Sequence, residues 1–287
     1  MRFKNQQALN TKSKPGMFAL ESLIFIFIAL VNLLPVYWGI VTSLKSARDI
    51  SSYPPKFIGF DVVLTHYNLI FQSDYLRSIY NSILYSGCSI IVGVIIGYLA
   101  GYGFQRSRFR FRKILFYTVI AGIPLSVGSS ALLIPNYLYL IKIGLTNHWF
   151  TLIILYTTYN LPMAIWILRG GVAAVPVEIE EAAEIDGCSR TFIVGSLVPR
   201  MMLPSIVSSA LFIFIGSWND FITAAVMIDK PSLRSVQLSI YSFQGFYGRE
   251  WGPLTAAAVV AIIPILIVFS FLGKLMVSGM TAGAVKE

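Results

Sequence analysis

Long apolar runs separated by short polar stretches dominate this chain. A helix needs about 20 apolar residues to cross a bilayer. Six stretches qualify: 22–44, 83–104, 114–140, 149–168, 201–223 and 251–272. The pattern predicts an all-α membrane protein of six transmembrane helices, with one bundle over 17–273 between tails 1–16 and 274–287. The third stretch is too long for one straight span. Pro124 and Pro135 are expected to kink it or end it early, leaving 136–142 near an interface. Asp220 is the one charge inside the six stretches.

Composition supports the membrane reading. Hydrophobic residues make up 56% of the 287 and charged residues only 12%, against about 25% charged in soluble domains. The net charge of +9 fits cytoplasmic loops better than a nucleic-acid patch. Cys88 lies in an apolar run and Cys188 in a polar loop, so neither a disulfide nor a metal site is expected. Residues 1–16 lack the apolar core and cleavage site of a signal peptide and read as a cytoplasmic tail.

Basic residues set the expected orientation. Arg2, Lys4, Lys12 and Lys14 precede the first span, and Arg106, Arg108, Arg110, Arg112 and Lys113 follow the second with no acid among them. Arg169, Arg190 and Arg200 lie in the fourth connection, and Lys274 and Lys286 in the last tail. The other side carries fewer cations over longer loops. Both termini are therefore expected in the cytoplasm, with connections 45–81 and 228–250 outside.

The fourth connection, 178–200, holds five of the chain's thirteen acids between Glu178 and Asp186. Val175-Pro176-Val177-Glu178 reads as a helix start, with acids at the positive end of the dipole. Glu178, Glu181 and Ala182 share one face by helical spacing. Ala182 and Ala183 are small enough to admit a close partner, Asp186 closes the acidic run, and Gly187 supplies a left-handed helix end. A second short helix, 189–198, leads back to the membrane. The bland reading is a solvated amphipathic loop whose acids only maintain solubility.

These residues resemble the EAA loop of permease subunits from binding-protein-dependent ABC importers. The likeness narrows to the carbohydrate-type, maltose-type second permease subunit and covers nearly the whole chain. Thr42-Ser43-Leu44-Lys45 with Tyr53-Pro54-Pro55, Tyr80-Asn81-Ser82, the basic turn 106–113, Leu161 to Trp166, Ser217 to Phe221 and the ending 277–286 are each similar to family segments, in the same order. The resemblance implies a type I ABC importer permease fold in the bacterial cytoplasmic (inner) membrane. It implies a second, different permease subunit, an ATPase dimer carrying ATP-Mg, an extracytoplasmic solute-binding protein, and transport by alternating access. One departure stands out. Pro199 follows Gly187 by twelve residues rather than thirteen and is preceded by Val198, so the second helix is either one residue short or turned.

By the same resemblance Glu181 pairs with a base in an ATPase cleft, Gln237, Tyr241 and Gln244 meet the binding protein, and Thr281, Gly283 and Ala284 enter the ATPase interface. Trp218, Asn219 and Asp220 lie near the transport path or the partner permease; the alternative for Asp220 is a local cap at an unwound helix end. The arginine run is read first as an orientation signal, with ATPase contact as the lesser alternative, and Gly93, Gly97 and Gly101 as helix packing. His66 and His148 stand alone. No Gly-x4-Gly-Lys-Ser/Thr loop occurs and no catalytic constellation is visible, so no catalytic residue and no cofactor of its own is assigned. An ion-coupled secondary transporter would need more intramembrane carboxylates than Asp220. A polyol, glycerol phosphate or uronate oligosaccharide stays open beside a neutral sugar.

Overall fold

The computed structural model describes residues 15–126, 130–245 and 248–284, with side chains over 21–124, 132–244 and 250–273. It opens with α1 (Pro15–Ser43), whose apolar side chains from Leu23 to Leu34 nearly all face outwards. Lipid is as apolar as leucine, so these residues need no protein partner. Asn32 donates to the Ile28 carbonyl at 2.8 Å, which satisfies one of its amide hydrogens within the helix. The first connection folds into α2 (Ala47–Ile50) and α3 (Thr65–Gln72).

The second long helix, α4 (Tyr75–Arg106), starts two turns earlier than expected and takes Tyr75–Asn81 out of the outer loop. Gly93, Gly97 and Gly101 lie one turn apart on it. A Cβ at Gly93 would come within 2.9 Å of Ile213 Cδ1, and one at Gly97 within 3.0 Å of Leu168 Cδ1. At Gly101 it would meet the Arg169 backbone nitrogen at 2.8 Å. Without a hydrophobic drive between helices in lipid, such close backbone approach is what holds them together.

The third expected span is broken. Its residues form α5 (Arg112–Ala121), α6 (Ile123–Ser126) and α7 (Ser130–Lys142). Gly122 turns the chain, and Pro124 supplies no N–H and crowds the carbonyl four residues back. Pro135, by contrast, is accommodated inside α7. Then α8 (Trp149–Ala174) runs the length of the bundle with Pro162 inside it.

The fourth connection holds α9 (Val177–Ile185), α10 (Arg190–Phe192), a π-turn at Ile193–Leu197 and α11 (Val198–Met201). At Met202 the axis bends by 80° into α12 (Leu203–Trp218). That helix stops at Trp218 rather than at 223, because Asn219 and Asp220 bond to nearby backbone groups. Two short helices, α13 (Ile222–Met227) and α14 (Val236–Tyr241), precede a hairpin pairing Gln244 with Arg249. The last helix, α15 (Trp251–Ala284), continues where a tail was expected from 274.

Helices α4, α8 and α12 form the mutually packed centre; α15 packs on α12, and α1 on α15. Among the described residues four helices are long and apolar enough to cross a membrane, or five if the bent pair counts as one span. The fold is thus a mostly helical membrane bundle.

Candidate functional site: a clamped helix–turn–helix

At the end of α8, Val175 adopts extended backbone and Pro176 starts α9 at φ −59°. Glu178 and Glu180 occupy the first turn, where the helix dipole favours anions. The far end is a Schellman closure: Cys188 N–H donates to the Ala183 carbonyl at 2.9 Å and Gly187 N–H to Glu184 at 3.1 Å. Gly187 sits at φ +86°, which a β-carbon would strain.

The nine residues of α9 present two different faces. Glu178, Glu181 and Ala182 are exposed, as is Ile185, at 86%. These four follow helical spacing and make one acidic, small and apolar strip. Asp186 and Gly187 are exposed beyond it, and Ala183 is half-buried. Ile185 was missed by sequence reasoning, although the same spacing includes it.

The opposite face is held by a side chain that sequence reasoning passed over. Glu180 is only 7% exposed. Its Oε1 accepts from Arg106 Nε at 2.7 Å, with Arg106 Nη2 also 2.7 Å away, and its Oε2 accepts from the Tyr102 hydroxyl at 2.7 Å. Arg106 Nη2 also donates to the carbonyls of Val175 (2.6 Å) and Val172 (3.1 Å), capping the C-terminus of α8. One guanidinium therefore ties together α4, α8 and α9. It is the first cation of the run whose expected roles are orientation signal and, secondarily, ATPase contact, neither of which calls for a buried member. By comparison the Arg190–Glu184 pair is exposed and contributes little.

The return limb explains the odd position of Pro199. Ser189 caps α10, accepting from Phe192 N–H at 3.3 Å. Past Ile193, Val198 N–H reaches back five residues to the Ile193 carbonyl. The next residue, Pro199, has no N–H to offer the Val194 carbonyl, and the Tyr98 hydroxyl of α4 donates to it instead. The second helix is thus widened, and its wide turn is pinned to α4. Beneath it Tyr98, Tyr102, Leu168, Val172, Ile193 and Val198 form a continuous apolar cluster.

At the other end of the bundle the predicted residues are more dispersed. Trp218 is 1% exposed and packs on Phe214 at 5.4 Å, inside a cluster with Tyr75 and Val236. Asn219 is exposed and donates to the Ile215 carbonyl. Asp220 accepts from Ala224 N–H (3.1 Å), the Thr223 hydroxyl (2.8 Å) and the Tyr156 hydroxyl (3.1 Å). It thereby caps α13 and links it to α8. Tyr241 and Gln244 are exposed, with Tyr241 against Phe221 at 4.8 Å; Gln237 is half-buried. Thr281, Gly283 and Ala284 end α15, and their side chains lie outside the described residues.

The loops 45–74 and 228–250 are pinned to the rest of the fold at the N-terminal half of α4 and the end of α1. Asn81 donates to the carbonyls of Ser232 and Arg234, each at 3.0 Å, and Ser82 accepts from Val236 N–H at 2.8 Å. Lys45 is buried with its ammonium 4.3 Å above the Trp38 ring, and burial lowers its pKa. Asp49 accepts from Lys56 at 2.6 Å, and that hydrogen bond holds its carboxyl below the ordinary range. Cys88 and Cys188 are both free. His66 contacts the Lys45 carbonyl at 2.9 Å, and His148 stacks on Phe150. Among the described residues no group of three His, Cys, Asp or Glu could hold a metal ion.

A multi-span bundle whose most elaborate polar structure is a clamped, solvent-facing helix–turn–helix is a transport subunit in design. The chain belongs to the family described as binding-protein-dependent transport system inner membrane component, which matches residues 93–282. It is 32% identical over 266 residues to the diacetylchitobiose uptake system permease protein DasC of Streptomyces coelicolor, covering 92% of this chain and 94% of that one. It is 31% identical over 267 residues to the trehalose/maltose transport system permease protein MalG of Thermococcus litoralis, covering 91% and 94%. The fold also matches a chain in the crystal structure of a bacterial ABC transporter that imports the acidic polysaccharide alginate. There the TM-score is 0.75 at 18% identity, over 96% of this chain and 99% of that chain.

Proposed function

We propose that this chain is one of two different permease subunits of an ABC importer for an oligosaccharide or related sugar. It lies in the bacterial inner membrane with six spans and both termini in the cytoplasm; α5 to α7 together make the third span. Its 178–200 loop seats in a cleft of a cytoplasmic ATPase subunit. ATP-driven approach of the two ATPases would move that loop and, through it, α4, α8 and α12. An extracytoplasmic binding protein delivers the solute to the 228–250 side. The names of the diacetylchitobiose and trehalose/maltose relatives support a saccharide.

One observation carries the coupling role. The strip Glu178, Glu181, Ala182 and Ile185 faces solvent while the back of the same helix is clamped by Arg106 to α4 and α8. A surface presented so rigidly can transmit a push, whereas a merely solvated loop needs no such clamp. Glu181→Lys and Gly187→Pro should each reduce uptake and ATPase co-purification while the protein still inserts. Normal uptake and normal co-purification in both variants would refute this reading.

A further inference from the structure

Only the first cation of the basic run turns inward to Glu180. The others converge elsewhere: Arg108, Arg110, Arg112 and Lys113, with Phe109 and Ile114, line an open surface hollow beside the start of α5. We propose that this hollow binds the phosphate of an anionic phospholipid headgroup. The assignment rests on the cytoplasmic placement proposed above for residues 107–114.

Charge is the first argument. No ion pair forms at Arg108, Arg110, Arg112 or Lys113 among the described residues, where the three pairs are Lys56–Asp49, Arg106–Glu180 and Arg190–Glu184. Arg108, Arg110 and Lys113 are exposed and Arg112 half-buried, so water screens them in part, but four unpaired cations around one hollow still create a positive potential that favours an anion. Arg112 and Lys113 also stand in the first turn of α5, a ten-residue helix with no acid there and no side-chain cap on Phe111. Cations at that end oppose the helix dipole instead of complementing it. A bound anion would remove the conflict; an orientation signal alone would need the charge but not the convergence.

The second argument is preorganisation. Arg112 Nη1 donates to the Ser107 carbonyl at 3.0 Å, closing the turn, and Arg110 lies over the Phe111 ring at 5.7 Å. Behind them Arg169 sits 4.0 Å above Phe116 and donates to Gln105, bracing α4, α5 and α8 around the same corner.

Depth selects a lipid over a soluble phosphate. Phe109, Phe111, Ile114 and Leu115 are exposed and interleave with the cations. Acyl chains have apolar protein to lie on directly beside the cationic hollow. Basic pockets at the cytoplasmic end of spanning helices have the chemistry that holds anionic headgroups.

The test uses the detergent-purified full chain and native mass spectrometry with added phosphatidylglycerol or phosphatidylcholine. Phosphatidylglycerol should be retained in preference. Substituting Arg108→Gln, Arg110→Gln and Lys113→Gln together should weaken it by about fivefold for each cation, on the order of a hundredfold in all, with phosphatidylcholine unchanged. Arg108→Lys with Arg110→Lys should keep most of the binding, which separates charge loss from misfolding. Wild-type retention by the triple Gln variant overturns the site. Competition by millimolar inorganic phosphate that strips phosphatidylglycerol makes it a free-phosphate site and overturns the lipid assignment. A triple variant that keeps phosphatidylglycerol but loses ATPase subunits overturns it in favour of a protein contact. Binding in detergent has no sidedness, so its failure alongside normal Glu181-dependent transport refutes only this site. Labelling of Arg108→Cys by an impermeant maleimide from outside would instead overturn the orientation.

Discussion

Truncating Glu180 to alanine is the sharpest test of the clamp. The carboxylate takes Arg106 Nε and Nη2 at 2.7 Å on one oxygen and the Tyr102 hydroxyl at 2.7 Å on the other. Both charged side chains are about nine-tenths buried, at 11% and 9% exposure. Removing one member of a buried pair costs ~3–5 kcal/mol, because the other charge is left uncompensated. Arg106 keeps the Val172 and Val175 carbonyls, so the low end applies, ~3 kcal/mol. That is roughly a hundredfold rise in the opening of α9 from α4 and α8. Glu180→Gln retains an acceptor and should cost ~1–1.5 kcal/mol, or about tenfold. Glu181→Ala removes an exposed side chain and should stay within ~0.5 kcal/mol. Amide hydrogen exchange over 177–188, followed by mass spectrometry in detergent or nanodiscs, reads these openings directly. Equal protection in Glu180→Ala and Glu181→Ala would refute the clamp.

Three further outcomes follow from other contacts. Tyr98→Phe leaves the Val194 carbonyl without its donor and should cost ~1–3 kcal/mol; with Pro199→Ala the cost should shrink, since an N–H then becomes available at 199. A thermal-stability double-mutant cycle showing strict additivity would contradict this. Gly101→Ala drives a methyl into the Arg169 backbone and should destabilise by ~1–3 kcal/mol, whereas Gly103→Ala meets nothing within 4 Å and should gain a few tenths of a kcal/mol or more through helix propensity; equal thermal midpoints for the two would count against close α4–α8 packing. Asp49, with its carboxyl held below the usual 3.8, stabilises the loop between α1 and α4 above that pH and loses the contribution as pH falls through its lower folded value. Hydrogen exchange over 45–63 should therefore be flat from pH 7 to 5 after correction for intrinsic rates, and Asp49→Asn should remove the acid-side loss.

The apolar runs made four of the expected spans legible as single helices, at 22–44, 83–104, 149–168 and 251–272, because lipid demands continuous helix with few charges. The third is broken at Gly122 and Pro124, where the proline marked the expected kink, while Pro135, expected to act the same way, is accommodated inside α7: the sequence shows where the helix ladder loses a donor but not which loss the packing absorbs. Within the 178–200 loop, spacing put Glu178, Glu181 and Ala182 on one side, and the same wheel turns Glu180 and Ala183 the other way. What spacing could not supply was the partner, Arg106, 74 positions earlier. Nothing in an alternating run of arginines marks one as buried; only the packing of Gly101 on Arg169 brings the end of α4 near enough to α8 for Arg106 to reach its carbonyls. Pro199 shows the same limit from the other side. The sequence exposed an irregularity in the second helix, but its resolution lies in a hydroxyl on another helix, Tyr98 of α4. Both limbs of the loop are therefore fastened to α4, one through Glu180 and one through Val194. Chain connectivity joins the same loop to α8 at Val175-Pro176 and to α12 at Met202. Under the proposed coupling a displacement of the loop would therefore reach all three central helices, and the glycine seam and the two fastenings are where variants should separate docking from transport.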